Sequence, residues 1–159
     1  MAPHAEGGYF AETYRAELTI PHQVLPGHYA GARRACTAIY FLLDGEDFSA
    51  FHRLQSDEIW HFYSGEGLDL YVMDDERGLG IHHLGNSLDP GRVPQATVPA
   101  GSWLAARPSD PDSYALVGCT VAPGFEFADF ELGDRAALVA RYPAHRELIA
   151  SFTRVRPLQ

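Results

Sequence analysis

Two cysteines in 159 residues are too few for a disulfide scaffold, and Cys36 and Cys119 form neither a CxxC pair nor a zinc-ligand spacing. Each stands beside a threonine in an apolar run, which predicts buried free thiols. Positive charge is scarce as well. Lys and Arg total 12 against 21 Asp and Glu, for a net charge of −9 and a pI near 5.2. An acidic surface repels phosphate backbones, and the Arg33-Arg34 pair stands alone, so nucleic acid is excluded as a partner class. No apolar run approaches the roughly twenty residues of a membrane span. The opening Met-Ala-Pro-His-Ala-Glu-Gly-Gly has no apolar signal core. A cytoplasmic protein with no membrane partner is expected. There is no internal repeat and no βαβ alternation.

What is present suits one globular domain over residues 1–159, with 46% hydrophobic and 21% charged residues. A chain of this length buries about two-thirds of its unfolded surface. Strands are expected over 9–20, 35–43, 48–54, 58–63, 68–73, 80–84, 96–106 (with a turn at Pro99 and Gly101), 114–121 and 125–132. The nearly continuous apolar run 35–43 predicts burial on both faces. Gly7-Gly8 predicts a turn or a close backbone approach. His22 and His28 fall in a loop and are expected in solvent. His82 and His83 are adjacent on a strand, so they point to opposite faces and cannot share one metal. Residues 125–132 alternate strictly, placing Phe125 and Phe127 in the core and Glu126 and Asp129 on opposite faces. Only the end changes period: Asp134 is an N-cap, residues 135–142 are helical, and Leu148, Ile149 and Phe152 form a helical stripe after Pro143. The fold class is all-β, a sandwich or barrel with a short C-terminal helical segment, wide enough for a small ligand.

Chemistry concentrates in residues 48–65. Two strands joined by Gln55-Ser56-Asp57 would form a hairpin that sets His52 against Glu58. An imidazole facing a carboxylate is either an acid/base pair or half of a metal site. As an acid/base pair, His52 is the general base, and Glu58 fixes its tautomer and favours its charged form. Tyr40, Trp60, Phe62 and Trp103 are expected to line the pocket. Arg53, with Arg15 and Arg107, would anchor a carboxylate or phosphate. As a metal site, His52 and Glu58 need His61 as third ligand, which requires a bulge at Ile59-Trp60. As a bare binding site, the pair satisfies itself inside a barrel.

Glu58 followed six residues later by Gly65, with His52 upstream, resembles the first motif of the cupin superfamily. Pro99-Ala-Gly101-Ser-Trp103-Leu104 resembles the second. Leu54 and Leu104 stand where that pattern places two of its four metal ligands. The stretches His4-x-Glu6-Gly7-Gly8-Tyr9-Phe10, Thr37-Ala38-Ile39-Tyr40-Phe41, Asp57-Glu58-x-Trp60-His61 and Gly118-Cys119-Thr120-Val121 are similar to the DUF985, or cupin-5, branch. The resemblance implies a cupin double-stranded β-helix (jelly-roll barrel), paired as a homodimer. It is also similar to sugar-nucleotide 3,5-epimerases of the RmlC type, which use a barrel histidine as base, a place matched by His52. Their tyrosine acid falls at Val117 here, leaving Tyr114 or Tyr40 as the acid. The expected function is small-molecule binding with metal-independent isomerase or epimerase chemistry on a sugar-like or carbonyl compound. No cofactor is expected. The alternatives are a divalent-metal oxygenase or isomerase using His52, Glu58 and His61, and a non-catalytic binder.

Overall fold

The period-2 segments pair into two antiparallel sheets in the computed structural model, which describes residues 1–86 and 88–154. Strands are numbered along the chain. The six-stranded sheet runs β1 (Ala2–Pro3), β2 (Tyr9–Arg15), β5 (Thr37–Asp44), β12 (Tyr114–Ala122), β7 (Asp57–Gly65), β10 (Gln95–Val98). The five-stranded sheet runs β13 (Glu131–Leu132), β6 (Ser49–Arg53), β11 (Trp103–Pro108), β8 (Leu68–Asp74), β9 (Gly78–Leu84). A separate ribbon pairs β3 (Thr19–Ile20) with β4 (Arg33–Arg34). This is the expected all-β jelly roll.

Between the sheets, Phe41, Leu43, Trp60, Leu70, Leu104 and Val117 belong to one buried cluster. A second cluster lies on the other side of the five-stranded sheet. There Phe51, Tyr71, Met73 and Trp103 pack under Leu138 of α1 (Arg135–Arg141) and Ile149 of α2 (Arg146–Ser151), with Phe152 just beyond. The helices therefore cover one sheet and leave the outer face of the other open. Asp134 caps α1 as its sequence predicts, accepting from the Ala137 amide at 2.8 Å, a contact worth about 1 kcal/mol.

Four expectations fail on partners or faces. First, β6 and β7 do not form a hairpin: they lie in different sheets, and Gln55-Ser56 carries the chain across the barrel edge. The Tyr29 hydroxyl, bonded to the Gln55 carbonyl at 3.1 Å and to Ser56 Oγ at 2.8 Å, pins that corner. Alternation identifies a strand but not its neighbour. Second, β5 is not buried on both faces. Phe41 and Leu43 point inward, but Tyr40 is 48% exposed, because no helix covers that side. Third, residues 125–132 are not one strand. A 3-10 turn at Phe127–Asp129 swings Asp129 inward onto Arg33 as a buried bidentate ion pair. Fourth, the strand from Tyr9 stops at Arg15, where Ala16 is buried and donates to the Cys36 carbonyl.

Candidate functional site

The site starts at the N-terminal glycines. Gly7 and Gly8 have φ of +114° and +68°, conformations that L side chains rarely adopt. A Cβ on Gly7 would meet the Phe48 carbonyl oxygen at 2.2 Å. The turn closes with His4 N donating to the Gly8 carbonyl at 3.0 Å and Gly7 N to the His4 carbonyl at 3.1 Å. The Gly8 amide is held by Asp47 at 2.9 Å, and the Ala50 amide by the Glu6 carbonyl at 2.8 Å. This stitching lays residues 4–8 along the start of β6 and puts the His4 and Glu6 side chains inside, 8% and 6% exposed.

Glu6 is the centre of the polar network. Its Oε2 lies 3.1 Å from His4 Nδ1 and 3.2 Å from His52 Nε2, and its Oε1 accepts from Ser49 Oγ at 2.8 Å. His52 Nδ1 lies 2.8 Å from the Ala50 carbonyl, which only accepts, so that nitrogen carries a hydrogen. Burial alone would raise the Glu6 pKa, but His52 and His4 together outweigh it and hold the carboxyl below its ordinary value. Burial works to lower the His4 pKa, yet the Glu6 carboxylate wins and raises it. His4 also sits among phenylalanines: stacked on Phe127 at 5.9 Å and edge-on to Phe10, Phe41 and Phe130. Among the described residues its Nε2 makes no hydrogen bond.

Glu58 enters from the opposite sheet, on β7. Burial, and then the negative charge of Glu6, push its pKa up to about 8. It is therefore a neutral carboxylic acid at pH 7. Its Oε2 is buried without a well-formed hydrogen bond, as is the indole Nε1 of Trp60, although the Trp60 indole and the Cys119 thiol lie close enough to offset part of the rise. Cys119, also buried, is pushed well above the ordinary thiol value by burial and then by Glu58, so it remains a thiol. These groups line a cavity of about 110 Å³ walled by Phe10, Ile39, Leu54, Val121, Phe125 and Phe127. At its rim Arg15 bonds Glu12 and Glu126.

The structure thus brings His52 and Glu58 to one cavity but does not pair them. The carboxylate that faces His52 is Glu6, 3.2 Å from Nε2. Both His52 ring nitrogens are engaged, so His52 does not present a vacant nitrogen as a general base. The expected pocket aromatics lie elsewhere. Trp60 is core, edge-on to Phe41 at 5.7 Å, and Phe62 packs on the same cluster. Trp103 alternates with Leu104, so it faces the helices, under the Arg53 guanidinium at 4.6 Å. Arg53 pairs with Glu131 and lies with Trp103 at a separate shallow basin. Arg107 lies over the Tyr71 and Phe152 rings. Tyr40 and Tyr114 are on the uncovered outer face, where Tyr114 bonds Ser64 at 2.9 Å, so neither reaches the cavity as an acid. Phe125 and Phe127, expected in the core, line the cavity mouth, and Phe127 is 60% exposed.

His61 points outward to Thr120 Oγ1 at 3.1 Å. The register of β7 on β12 shifts between Leu116 and Val117, beyond Trp60, so no bulge turns His61 toward Glu58. The trio His52, Glu58, His61 is not assembled. Among the described residues, no group of three or more His, Cys, Asp or Glu side chains is arranged to hold a metal ion. Leu54 and Leu104 supply no donor, His52 has one nitrogen on the Ala50 carbonyl and the other facing Glu6, and His4 Nε2 alone remains open. The residues present do not fit the metal centre usual in this fold.

His4 and Glu6 went unassigned in the sequence because they precede the first long strand. Their signal was the Gly7-Gly8 pair immediately after them, which needs a neighbouring backbone to approach.

The sequence profile described as Cupin superfamily (DUF985) matches residues 1–133. Protein SO0799 from Shewanella oneidensis superposes with a TM-score of 0.84 at 37% identity, covering 98% of this chain and 92% of that one. A Leishmania major protein superposes at 0.85 with 32% identity, covering 96% and 92%. Protein YML079W of Saccharomyces cerevisiae is 30% identical over 138 residues, 81% of this chain and 68% of the yeast protein. On sequence and fold together, the chain belongs to the DUF985 family of the cupin superfamily.

Proposed function

We propose that this cupin is a proton-transfer enzyme of the isomerase or epimerase type, acting on a carbonyl-bearing, sugar-like small molecule held in the barrel. One observation carries the reading. The Glu6 carboxylate is shared by two imidazoles on the floor of a cavity whose other wall holds Glu58 as a neutral acid. Two groups face His4 Nδ1, the Glu6 amide at 3.5 Å and the Glu6 carboxylate at 3.1 Å; the shorter contact favours a hydrogen on Nδ1, which leaves Nε2 as the nitrogen available to a substrate, the logic of a carboxylate–histidine dyad. His52 secures Glu6 from the other side.

In the reaction, a substrate carbonyl oxygen accepts from the Glu58 hydroxyl. Neutral His4 takes a proton from the adjacent carbon through Nε2. The C–H bond breaks, its electron pair forms the C=C bond, and the Glu58 proton passes to oxygen, giving an enediol and a Glu58 carboxylate. Return of the His4 proton to the neighbouring carbon, with the other enediol hydroxyl giving its proton to Glu58, yields the isomer and restores both residues; for an epimer, solvent delivers a proton to the opposite face, His4 releases its own to solvent, and the hydroxyl formed in the first step returns its proton to Glu58. No electrons leave the substrate, so no oxidant is needed. The chain contains no lysine, so a lysine imine is not an alternative route.

The test is incubation with aldoses, ketoses and α-hydroxy ketones in D2O, followed by proton NMR. Wild-type protein is expected to exchange the α-proton of at least one compound, and His4→Ala and Glu58→Gln to abolish that exchange. Binding of a compound with no exchange by wild-type protein would leave the non-catalytic binder in its place. Pairing of two copies through the uncovered tyrosine face is part of the same proposal.

A further inference from the structure

The rim of the cavity holds one cation and two anions. Arg15 donates from Nε and Nη2 to Glu12, at 3.1 and 2.8 Å, and from Nη1 to Glu126 at 2.9 Å. Its charge is thus more than compensated. On the floor, Glu6 already accepts from Ser49 and contacts both imidazoles. A ligand carboxylate or phosphate entering here must pass two glutamates, in a chain of net charge −9, and finds its one guanidinium already engaged. Focused negative potential at a mouth lowers the local concentration of anions.

The walls are apolar and aromatic, with Phe10, Ile39, Val121, Phe125 and Phe127 facing the space. At the polar end, Glu58 Oε2 is buried without a well-formed hydrogen bond. An unmet buried polar atom favours a ligand that supplies its hydrogen bond. An apolar void of roughly 150 Å³ is known to accept benzene. By that scale a cavity of about 110 Å³ encloses about four heavy atoms, so a compound of six fills it and extends into the mouth.

We infer that the cavity selects an uncharged α-hydroxycarbonyl compound of this size with a methyl-bearing body, and that Glu12 and Glu126 are the residues that turn anions away. The inference rests on the reading of this cavity as the substrate site. The oxygen end of the ligand meets Glu58 and His4, and its carbon body lies against the phenylalanines. Specificity against anions then comes from an unfavourable element at the mouth, not from an extra attractive contact.

The experiment compares two probes of six heavy atoms: acetoin, which is neutral, and lactate, which is anionic. Each is titrated into 15N-labelled protein, and amide shifts of Cys119, Val121 and Phe125 are followed. Acetoin is expected to shift these signals and to bind about tenfold more tightly than lactate. In Glu126→Gln the ratio of acetoin to lactate affinity should fall about fivefold, because Arg15 then faces one carboxylate. Glu12→Gln provides the second variant and should move the ratio the same way. Equal binding of the two probes, an unmoved ratio in both variants, or no shift with either probe would each overturn the assignment. Acetoin that binds without exchanging its α-proton in D2O counts against the proposed reaction alone, so the two failures are distinguishable.

Discussion

Glu6 Oε2 lies 3.2 Å from His52 Nε2, while the other nitrogen of that ring is tied to the Ala50 carbonyl at 2.8 Å. Nδ1 must therefore carry a hydrogen, and Nε2 is turned toward the Glu6 carboxylate. His4 reaches the same oxygen from the other side at 3.1 Å. Glu6→Gln keeps the shape but removes the charge and sets an amide against imidazole N–H groups. Breaking one partner of a buried charged network costs about 3–5 kcal/mol. Urea unfolding should show a loss of that order. A variant as stable as wild type would mean that the three side chains do not share charge.

Glu58 gives the protein a pH-dependent stability of definite sign. Its pKa rises from 4.5 to about 8 on folding. Between those values the folded state binds a proton that the unfolded state lacks. This group's contribution is thus full below about pH 4.5 and falls by about 1.4 kcal/mol per pH unit up to about pH 8. His4, raised above 6.5, acts in the same direction, being lost as pH rises through its folded value. Glu6, lowered below 4.5, acts only in acid, where its contribution is lost as pH falls. Denaturation at pH 5, 6.5 and 8 should show falling stability, and Glu58→Gln should flatten much of that fall. Exchange activity should rise as His4 deprotonates and drop above about pH 8 as Glu58 ionises. A slope unchanged in Glu58→Gln would place the titrating group elsewhere.

The fold and half of the floor of the site were legible in the sequence, and the reason is periodicity. Leu68–Asp74 alternates, Thr37–Asp44 and Tyr114–Ala122 are short apolar runs bounded by turn residues, so each is a strand whatever it pairs with, and Asp134 announces its helix through capping chemistry. His52 and Glu58 were found because they lie in such strands. Their relationship was not, because alternation is silent about sheet membership, and the turn at Gln55-Ser56 serves a change of sheet as well as a hairpin. Trp103 faces the side opposite to its sequence expectation for a related reason: the apolar run Trp103-Leu104-Ala105-Ala106 is buried on both faces, so its pattern carries no direction. Asp129 escaped because its partner, Arg33, is distant in sequence.

The uncovered face of the six-stranded sheet predicts self-association. Outward positions Ala38, Tyr40, Leu42, Leu116, Gly118 and Thr120 carry no charge, in a chain that is 21% charged. The Tyr63 ring lies flat over Gly118, where an added Cβ would sit 2.3 Å from its hydroxyl, and edge-on to Tyr40 at 5.8 Å. Four strands about 4.8 Å apart and about 25 Å long give a footprint of roughly 500 Å² before side-chain relief. Counted on both copies, that reaches the roughly 1,000 Å² of a specific interface. A two-fold axis brings this same uncharged patch against itself, whereas other faces of two chains of net charge −9 repel. Sedimentation at micromolar concentration should show a dimer for wild type and a monomer for Tyr63→Asp. A monomeric wild-type protein would leave the face without this partner.

Gly7 couples the fold to the site, and its substitution should damage both together. Its φ of +114° is strained for any L side chain, and its Cβ would meet the Phe48 carbonyl oxygen at 2.2 Å and Arg154 at 2.5 Å. The arginine can move aside; the Phe48 backbone, at the entrance to β6, cannot do so without shifting the strand that carries His52. Backbone strain of this kind costs about 1–3 kcal/mol before the clash is counted. Gly78 is the matched control, with φ +72° but open space where its Cβ would point. Gly78→Ala should lose about 1 kcal/mol and keep its response to acetoin. Gly7→Ala should lose more, and its acetoin shifts should weaken, because residues 4–8 can no longer lie against β6 and deliver His4 and Glu6 to the cavity. Equal losses in the two variants, with acetoin binding intact in both, would show that the close approach at Gly7 does not position the site.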